Sequence, residues 1–173
     1  LDLALQRYAN ERLEGESAAA VLMDVRSGDV LALASTPSFQ PNHFVRGISG
    51  PDYRALLENA YRPLHNKWAS GMYPPGSTFK MVVALAALEA GVISPEETVF
   101  CNGGYVLGNR RFHCWRRGGH GHMALNASIE QSCDVYYYEV AKRVGIERIA
   151  AMARRLGLGA EEELAIPELK GGL

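Results

Sequence analysis

At 173 residues the chain can bury one ordinary core, and a formal net charge of −1 gives it no overall attraction to nucleic acid or an anionic surface. Its longest apolar run, Met81 to Leu88, is far short of the ~18 residues a membrane span requires. Three cysteines are an odd number, so they cannot all pair within the chain.

Leu1 to Leu13 places apolar residues at helical spacing (Leu1, Leu5, Tyr8, Ala9, Leu13) and stops near Gly15, which predicts an amphipathic helix. Ala18 to Val25 and Val30 to Ser35 predict two strands joined by a tight turn at Arg26-Ser27-Gly28-Asp29. Both are apolar over most of their length, as in a sheet covered on both faces. Thr36 to Ser49 is rich in Pro, Asn and Gly and predicts a loop. Pro51 to Glu58 predicts a short helix opened by its proline.

Tyr73-Pro74-Pro75-Gly76-Ser77-Thr78-Phe79-Lys80 then leads into an apolar helix reaching Ala90. Two prolines and a glycine cannot sit inside that helix but can close a turn before it, with Ser77 as N-cap or first-turn residue. Ser77 and Lys80, three residues apart, share one helix face. A lysine enclosed by apolar neighbours is a base able to take the serine proton, and the helix N-terminus favours the anion that forms beside it. The pattern is that of an acyl-transfer site, although Ser-x-x-Lys alone also occurs by chance.

Gly91 is a natural helix stop. Cys101 to Met123 holds six glycines, four arginines and three histidines among few apolar residues, and is expected to be irregular. Asn126 to Gln131, Val135 to Val144 and Ile146 to Leu156 predict three helices, with Ser132 in the first junction and Gly157 after the last. Tyr136-Tyr137-Tyr138 fits core packing. Trp68 and Trp115 fit either a cleft wall or loop packing. A hairpin followed by helices gives an α+β (mixed α/β) class with a partial antiparallel sheet.

Four stretches turn this reading into a resemblance. They are the Ser77 motif, Val25-Arg26-Ser27-Gly28-Asp29-Val30-Leu31-Ala32, and Gln131-Ser132-Cys133-Asp134-Val135-Tyr136, with Gly119-His120-Gly121 between the motifs. Ser-x-x-Lys and Ser-x-[Asn/Asp] are two of the three signatures of penicillin-binding proteins and serine β-lactamases. The chain resembles, nearly end to end, the transpeptidase domain of class B penicillin-binding proteins, in the penicillin-binding protein 2 branch of cell-wall elongation. Asp in place of the commoner Asn at position 134 is familiar in that branch.

The resemblance implies Ser77 as nucleophile, Lys80 as its base, Ser132 as proton relay towards the leaving amine, and Asp134 as the group that holds Lys80 and the donor peptide. It implies peptidoglycan stem peptides as substrates, β-lactam antibiotics as inhibitors and no catalytic cofactor. It places the work at the periplasmic face of the inner membrane, beside a membrane glycan polymerase and elongation scaffold proteins, with no nucleic acid involved. The third signature, Lys-[Ser/Thr]-Gly on a strand, is absent. Lys170-Gly171-Gly172 lacks the hydroxyl and follows no strand signal. Residues 1–173 are therefore expected to be a partial transpeptidase domain, poorly active alone. Two other readings stand beside this one: a D,D-carboxypeptidase or penicillin sensor, and a zinc-stabilised interaction module with unused serine motifs.

Cys101, Cys114, His120 and Cys133 do not follow a zinc-finger spacing. Still, a Cys₃His set is a closed tetrahedral zinc site, and it would order a loop that cannot order itself by burial. Arg110, Arg111, Arg116 and Arg117 could offset the excess thiolate charge. Some relatives carry a metal there on mixed Asp, His and Cys ligands, which favours structural zinc. A disulfide with one free thiol, or plain burial, remains open, and His113 and His122 are substitute ligands.

Overall fold

The structure, a computed structural model, describes residues 1–159, so Glu161-Glu162-Glu163 and Lys170-Gly171-Gly172 lie outside the described residues. Two compact units divide at Met72. Among the described residues no helix is long and apolar enough to cross a membrane.

In the first unit Asp2 caps helix α1 (Leu3–Arg12), its carboxylate accepting from the Ala4 and Leu5 amides. Strands β1 (Ala18–Met23) and β2 (Val30–Thr36) form an antiparallel hairpin running from Ala18 opposite Thr36 to Met23 opposite Val30, with an irregularity at Leu22/Met23. The far edge of β2 is covered by α1. The Gln6 side-chain amide donates to the Leu33 carbonyl at 2.7 Å and accepts from its N–H at 2.9 Å, taking the place of a neighbouring strand. Burial alternates along β1, where Val21 and Met23 are 52% and 54% exposed, so the expected two-sided cover is not met on that strand. The expected loop from Thr36 to Ser49 contains a short helix, α2 (Pro41–Arg46), because Pro41 supplies a ready-made first helical residue. Helix α3 (Gly50–Glu58) is capped by Ser49, and α4 (Lys67–Ser70) packs on the hairpin.

The second unit is built on helix α5 (Lys80–Glu89), which follows one turn of 3-10 helix, Gly76–Phe79. The stretch expected to be irregular instead forms two small antiparallel pairs. Strand β3 (Val99–Cys101) pairs with β6 (Gly121–Met123), and β4 (Gly104–Leu107) pairs with β5 (Arg110–His113). Strands this short leave no alternating pattern to read. Their order comes from a backbone crossing: a Cβ on Gly103 would lie 2.0 Å from the Arg117 carbonyl oxygen, and one on Gly119 2.2 Å from that of Cys101. Only glycine fits at either position.

Helices α6 (Leu125–Glu130), α7 (Asp134–Val144) and α8 (Ile146–Arg155) complete the unit. Helix α5 packs against α7 and α8, burying Val82, Val83 and Ala87 in one core with Tyr136, Val140, Ile149 and Met152. Tyr136 and Tyr137 are buried, as core packing requires. Glu139 accepts from Arg143 Nε within α7 at 2.8 Å and from the Tyr105 hydroxyl at 3.1 Å, the second bond fastening α7 to β4.

The Arg143 hydrogen bond holds the Glu139 carboxyl below its ordinary range; burial opposes this and Tyr105 reinforces it. A depressed carboxyl pKa stabilises the fold above the unfolded value of ~4.3, and that stability disappears as pH falls through the folded value. Glu139→Gln is expected to lose about 0.5–1 kcal/mol at pH 7, discounted for partial exposure, and nothing beyond error near pH 3. Urea midpoints of both proteins at the two pH values provide the check.

Candidate active site

Ser77 lies in the 3-10 turn ahead of α5 and Lys80 is the first residue of that helix. Ser77 is not the helix N-cap: no side chain caps α5, and the Ser77 hydroxyl is bonded to Ser132 Oγ at 2.8 Å. Ser132 lies 55 residues further on and owes its position to how α6 ends.

That ending is a Schellman turn, in which the Ser132 N–H donates to the Ile129 carbonyl and the Cys133 N–H to that of Ser128. The same two bonds close α5, from Gly91 to Leu88 and Val92 to Ala87, and α8, from Gly157 to Arg154 and Leu158 to Ala153. The left-handed residue is glycine in those two cases, at φ +64° and +83°, but serine at φ +50° in α6. A Cβ in this conformation costs about 1–2 kcal/mol. The strain turns both the hydroxyl and the carbonyl of Ser132 onto Lys80.

Lys80 Nζ donates to the Ser132 carbonyl at 2.8 Å, to Ser132 Oγ at 3.0 Å and to Asp134 Oδ1 at 2.6 Å. Three acceptors match the three protons of an ammonium. The Tyr137 ring centroid lies 5.7 Å from Nζ. The expected apolar enclosure of Lys80 is thus not met, because Asp134 and the turned Ser132 carbonyl surround the amine with oxygen. The expected direct pairing of Ser77 with Lys80 is also replaced: the hydroxyl of Ser132 stands between them. Asp134 opens α7, where the helix dipole favours its charge, and Cys133 occupies the N-cap position. Trp115, expected either as a cleft wall or in loop packing, is instead hydrogen-bonded into the site. Its N–H donates to Asp134 Oδ2 at 3.0 Å and its indole Nε1–H to the Gln131 carbonyl at 3.0 Å.

Beside this chain of hydrogen bonds, Cys101, Cys114, His120 and Cys133 converge, with all ligand atoms within 4.8 Å of one another. The three thiols are free. His120 Nδ1 lies 3.5 Å from the sulfurs of both Cys101 and Cys114, and ~3.5 Å is the S···N edge of a tetrahedron with zinc arms of ~2.3 and ~2.0 Å. The donor set therefore fits a tetrahedral metal. Burial drives the Cys133 thiol up to about 12, with Cys101 and Cys114 adding to it and the Tyr136 amide opposing. Burial also raises Cys101, but the Gly103 and His120 amides and the other two thiols outweigh it and hold it low. Burial and then Arg116 keep His120 below the usual imidazole value, favouring the neutral ligand form. His113 and His122 are not part of the cluster: His113 is exposed on β5, and His122 packs on Phe100 at 5.0 Å.

Comparison with known proteins finds one family over most of the chain. Residues 18–173 match the family model described as the penicillin binding protein transpeptidase domain. Over 170 residues the chain is 44% identical to the peptidoglycan D,D-transpeptidase MrdA of Haemophilus influenzae, covering 97% of this chain and 26% of that protein. The chain thus spans about a quarter of that relative's length. Pseudomonas aeruginosa PBP2, solved in complex with WCK 5153, superposes with a TM-score of 0.94 at 42% identity, over 99% of this chain and 40% of that one. Helicobacter pylori PBP2, solved in complex with MreC, gives 0.93 at 33% identity, over 98% and 32%.

The strained turn predicts an inversion of the usual order of substitutions. Ser132→Gly is expected to melt at or above the wild-type temperature, and Ser132→Ala below Ser132→Gly, since alanine loses the same hydroxyl but keeps the strained Cβ. Thermal melts of the three proteins measure it.

Proposed function

Because the chain belongs to the penicillin-binding protein transpeptidase domain family, we propose that it carries the acylation centre of a peptidoglycan D,D-transpeptidase of cell-wall elongation. The observation that carries this reading is the continuous hydrogen-bond path from Ser77 through Ser132 to Lys80 and Asp134.

In this reading Ser77 Oγ attacks the carbonyl carbon of the D-Ala-D-Ala amide. Once the Lys80 ammonium has released one proton to solvent, the Ser77 proton passes to Ser132 Oγ while Ser132 passes its own to the Lys80 amine, so no charge is stranded on the relay. The oxyanion meets the Ser77 backbone N–H at the start of the helical segment. As the C–N bond breaks, Lys80 returns the proton through Ser132 to the departing D-Ala amine. The amine of a neighbouring stem then attacks the acyl carbon, the ester bond to Ser77 Oγ breaks, and the proton the amine loses passes along the same path to restore the Ser77 hydroxyl. A β-lactam acylates Ser77 in the same way, but its amine stays tethered. No cofactor enters these steps. The family adds a second oxyanion donor from its Lys-[Ser/Thr]-Gly strand, so efficient acylation is expected of the full-length protein and slow acylation of this chain alone.

Cys101, Cys114, His120 and Cys133 would hold zinc in a closed structural site with no open position for chemistry. Cys133 lies between Ser132 and Asp134, and Cys114 precedes Trp115, so the ion would tie both segments together. The reading places the site at the periplasmic face of the inner membrane. Its partners would be a membrane glycan polymerase and elongation scaffold proteins; the H. pylori relative was solved with MreC.

Two measurements test the proposal. A fluorescent penicillin is expected to label the full-length protein at Ser77 and to leave Ser77→Ala unlabelled; label retained by the alanine variant would overturn the assignment. Protein purified without added zinc is expected to contain one zinc per chain and to resist alkylation at Cys133 until the metal is chelated. Metal-free protein with Cys133 freely alkylated would overturn the zinc site.

A further inference from the structure

We propose that Trp115 is the positioning residue of the acylation centre, gripping the Ser132 turn from both sides; this rests on the transpeptidase reading above. Its backbone N–H holds Asp134 Oδ2, leaving Oδ1 for Lys80. Its indole N–H holds the carbonyl of Gln131, the C-cap residue between α6 and the strained serine. One residue thus fixes the peptide before Ser132 and the carboxylate after Cys133.

Three observations separate this from loop packing. Trp115 is 63% exposed, so burial of its ring accounts for little of its placement. The Gln131 carbonyl is one of the orphan acceptors at a helix end, and the indole satisfies it where no intrahelical donor is available. Ser132 is held at a positive φ that serine does not favour, and such a conformation persists only when its surroundings over-determine it. The Schellman bonds alone suffice where the residue is Gly91 or Gly157; with serine in that place an outside grip is needed. The ring also meets His120 edge-on, with centroids 5.2 Å apart, so the thiol cluster limits how far the indole can swing.

The grip acts on the chemical step. Losing it lets Ser132 relax from the line between Ser77 and Lys80 while leaving the approach of a β-lactam to Ser77 unchanged. The variants are Trp115→Phe, which removes the indole N–H, and the full-length protein carrying benzothienylalanine at 115, which keeps the bicyclic shape without the donor. Both are expected to lower the acylation rate constant for a fluorescent penicillin about tenfold, with the noncovalent dissociation constant, zinc content and melting temperature unchanged. Trp115→Phe combined with Ser132→Gly is expected to acylate no more slowly than Ser132→Gly alone, since the turn is then unstrained and the relay already gone.

A weaker noncovalent complex with an unchanged rate constant would make Trp115 a substrate contact and overturn the proposal. A joint fall in melting temperature and zinc content that accounts for the rate loss would make it a structural residue, with the same result. Normal acylation in the benzothienylalanine protein would also overturn it, leaving the transpeptidase reading intact. A wild-type protein that is never acylated at Ser77 would overturn both.

Discussion

An ammonium group has three protons to place, and at Lys80 all three go to oxygens from one short segment, Ser132 to Asp134. No residue near Lys80 in sequence supplies them. The segment must therefore be brought to the first turn of α5 by tertiary structure, and the second unit is arranged to do so. Helices α5 and α7 pack through Val82, Val83, Val135 and Tyr136, which sets Asp134, at the head of α7, against the head of α5. The turn that ends α6 then places the serine hydroxyl between Lys80 and Ser77. The apolar core fixes the distance between two helix starts, and the polar groups there complete one another.

Serine at position 132 carries a tension between stability and chemistry. The chain ends two other helices with the same turn and uses glycine both times, so the fold plainly accommodates the cheaper residue. The hydroxyl is what glycine cannot supply. The strain is tolerable because neighbouring groups restrain the turn: Ser128 hydrogen-bonds locally to the Leu125 carbonyl and the Tyr137 hydroxyl, and Cys133 is wholly buried in the thiol cluster.

What could be read from the sequence divides along physical lines. The Ser77–Lys80 pair was legible because proline, glycine and helix formers act over a few residues; α1 was legible through its helical spacing, α3 through its opening proline, and α5 and α8 through the glycine that stops each, with α6 and α7 expected between them. Cys101, Cys114, His120 and Cys133 could be nominated by residue type, since three thiols and a histidine in a poorly apolar stretch have few uses; their convergence depends on the fold. Three features had no local signal. The left-handed state of Ser132 looks like any helix-to-helix junction. The oxygen cage of Lys80 contradicts the apolar run that follows it, because helix position and not composition decides what Nζ faces. Trp115 acts partly through its backbone N–H, which every residue except proline possesses. The short strands from Val99 to Met123 were missed because a crossing of glycine backbones, and not a side-chain pattern, orders them.

That crossing also isolates what lies beyond it. Gly103 and Gly119 pin the base of the loop through main-chain contact, while the β4–β5 tip at Gly108-Asn109 has open space about it. Asn109 and Arg110 are exposed there. The tip is thus a natural place to splice in an epitope or a dye-acceptor peptide, giving a handle for imaging that leaves the glycine crossing at its base intact.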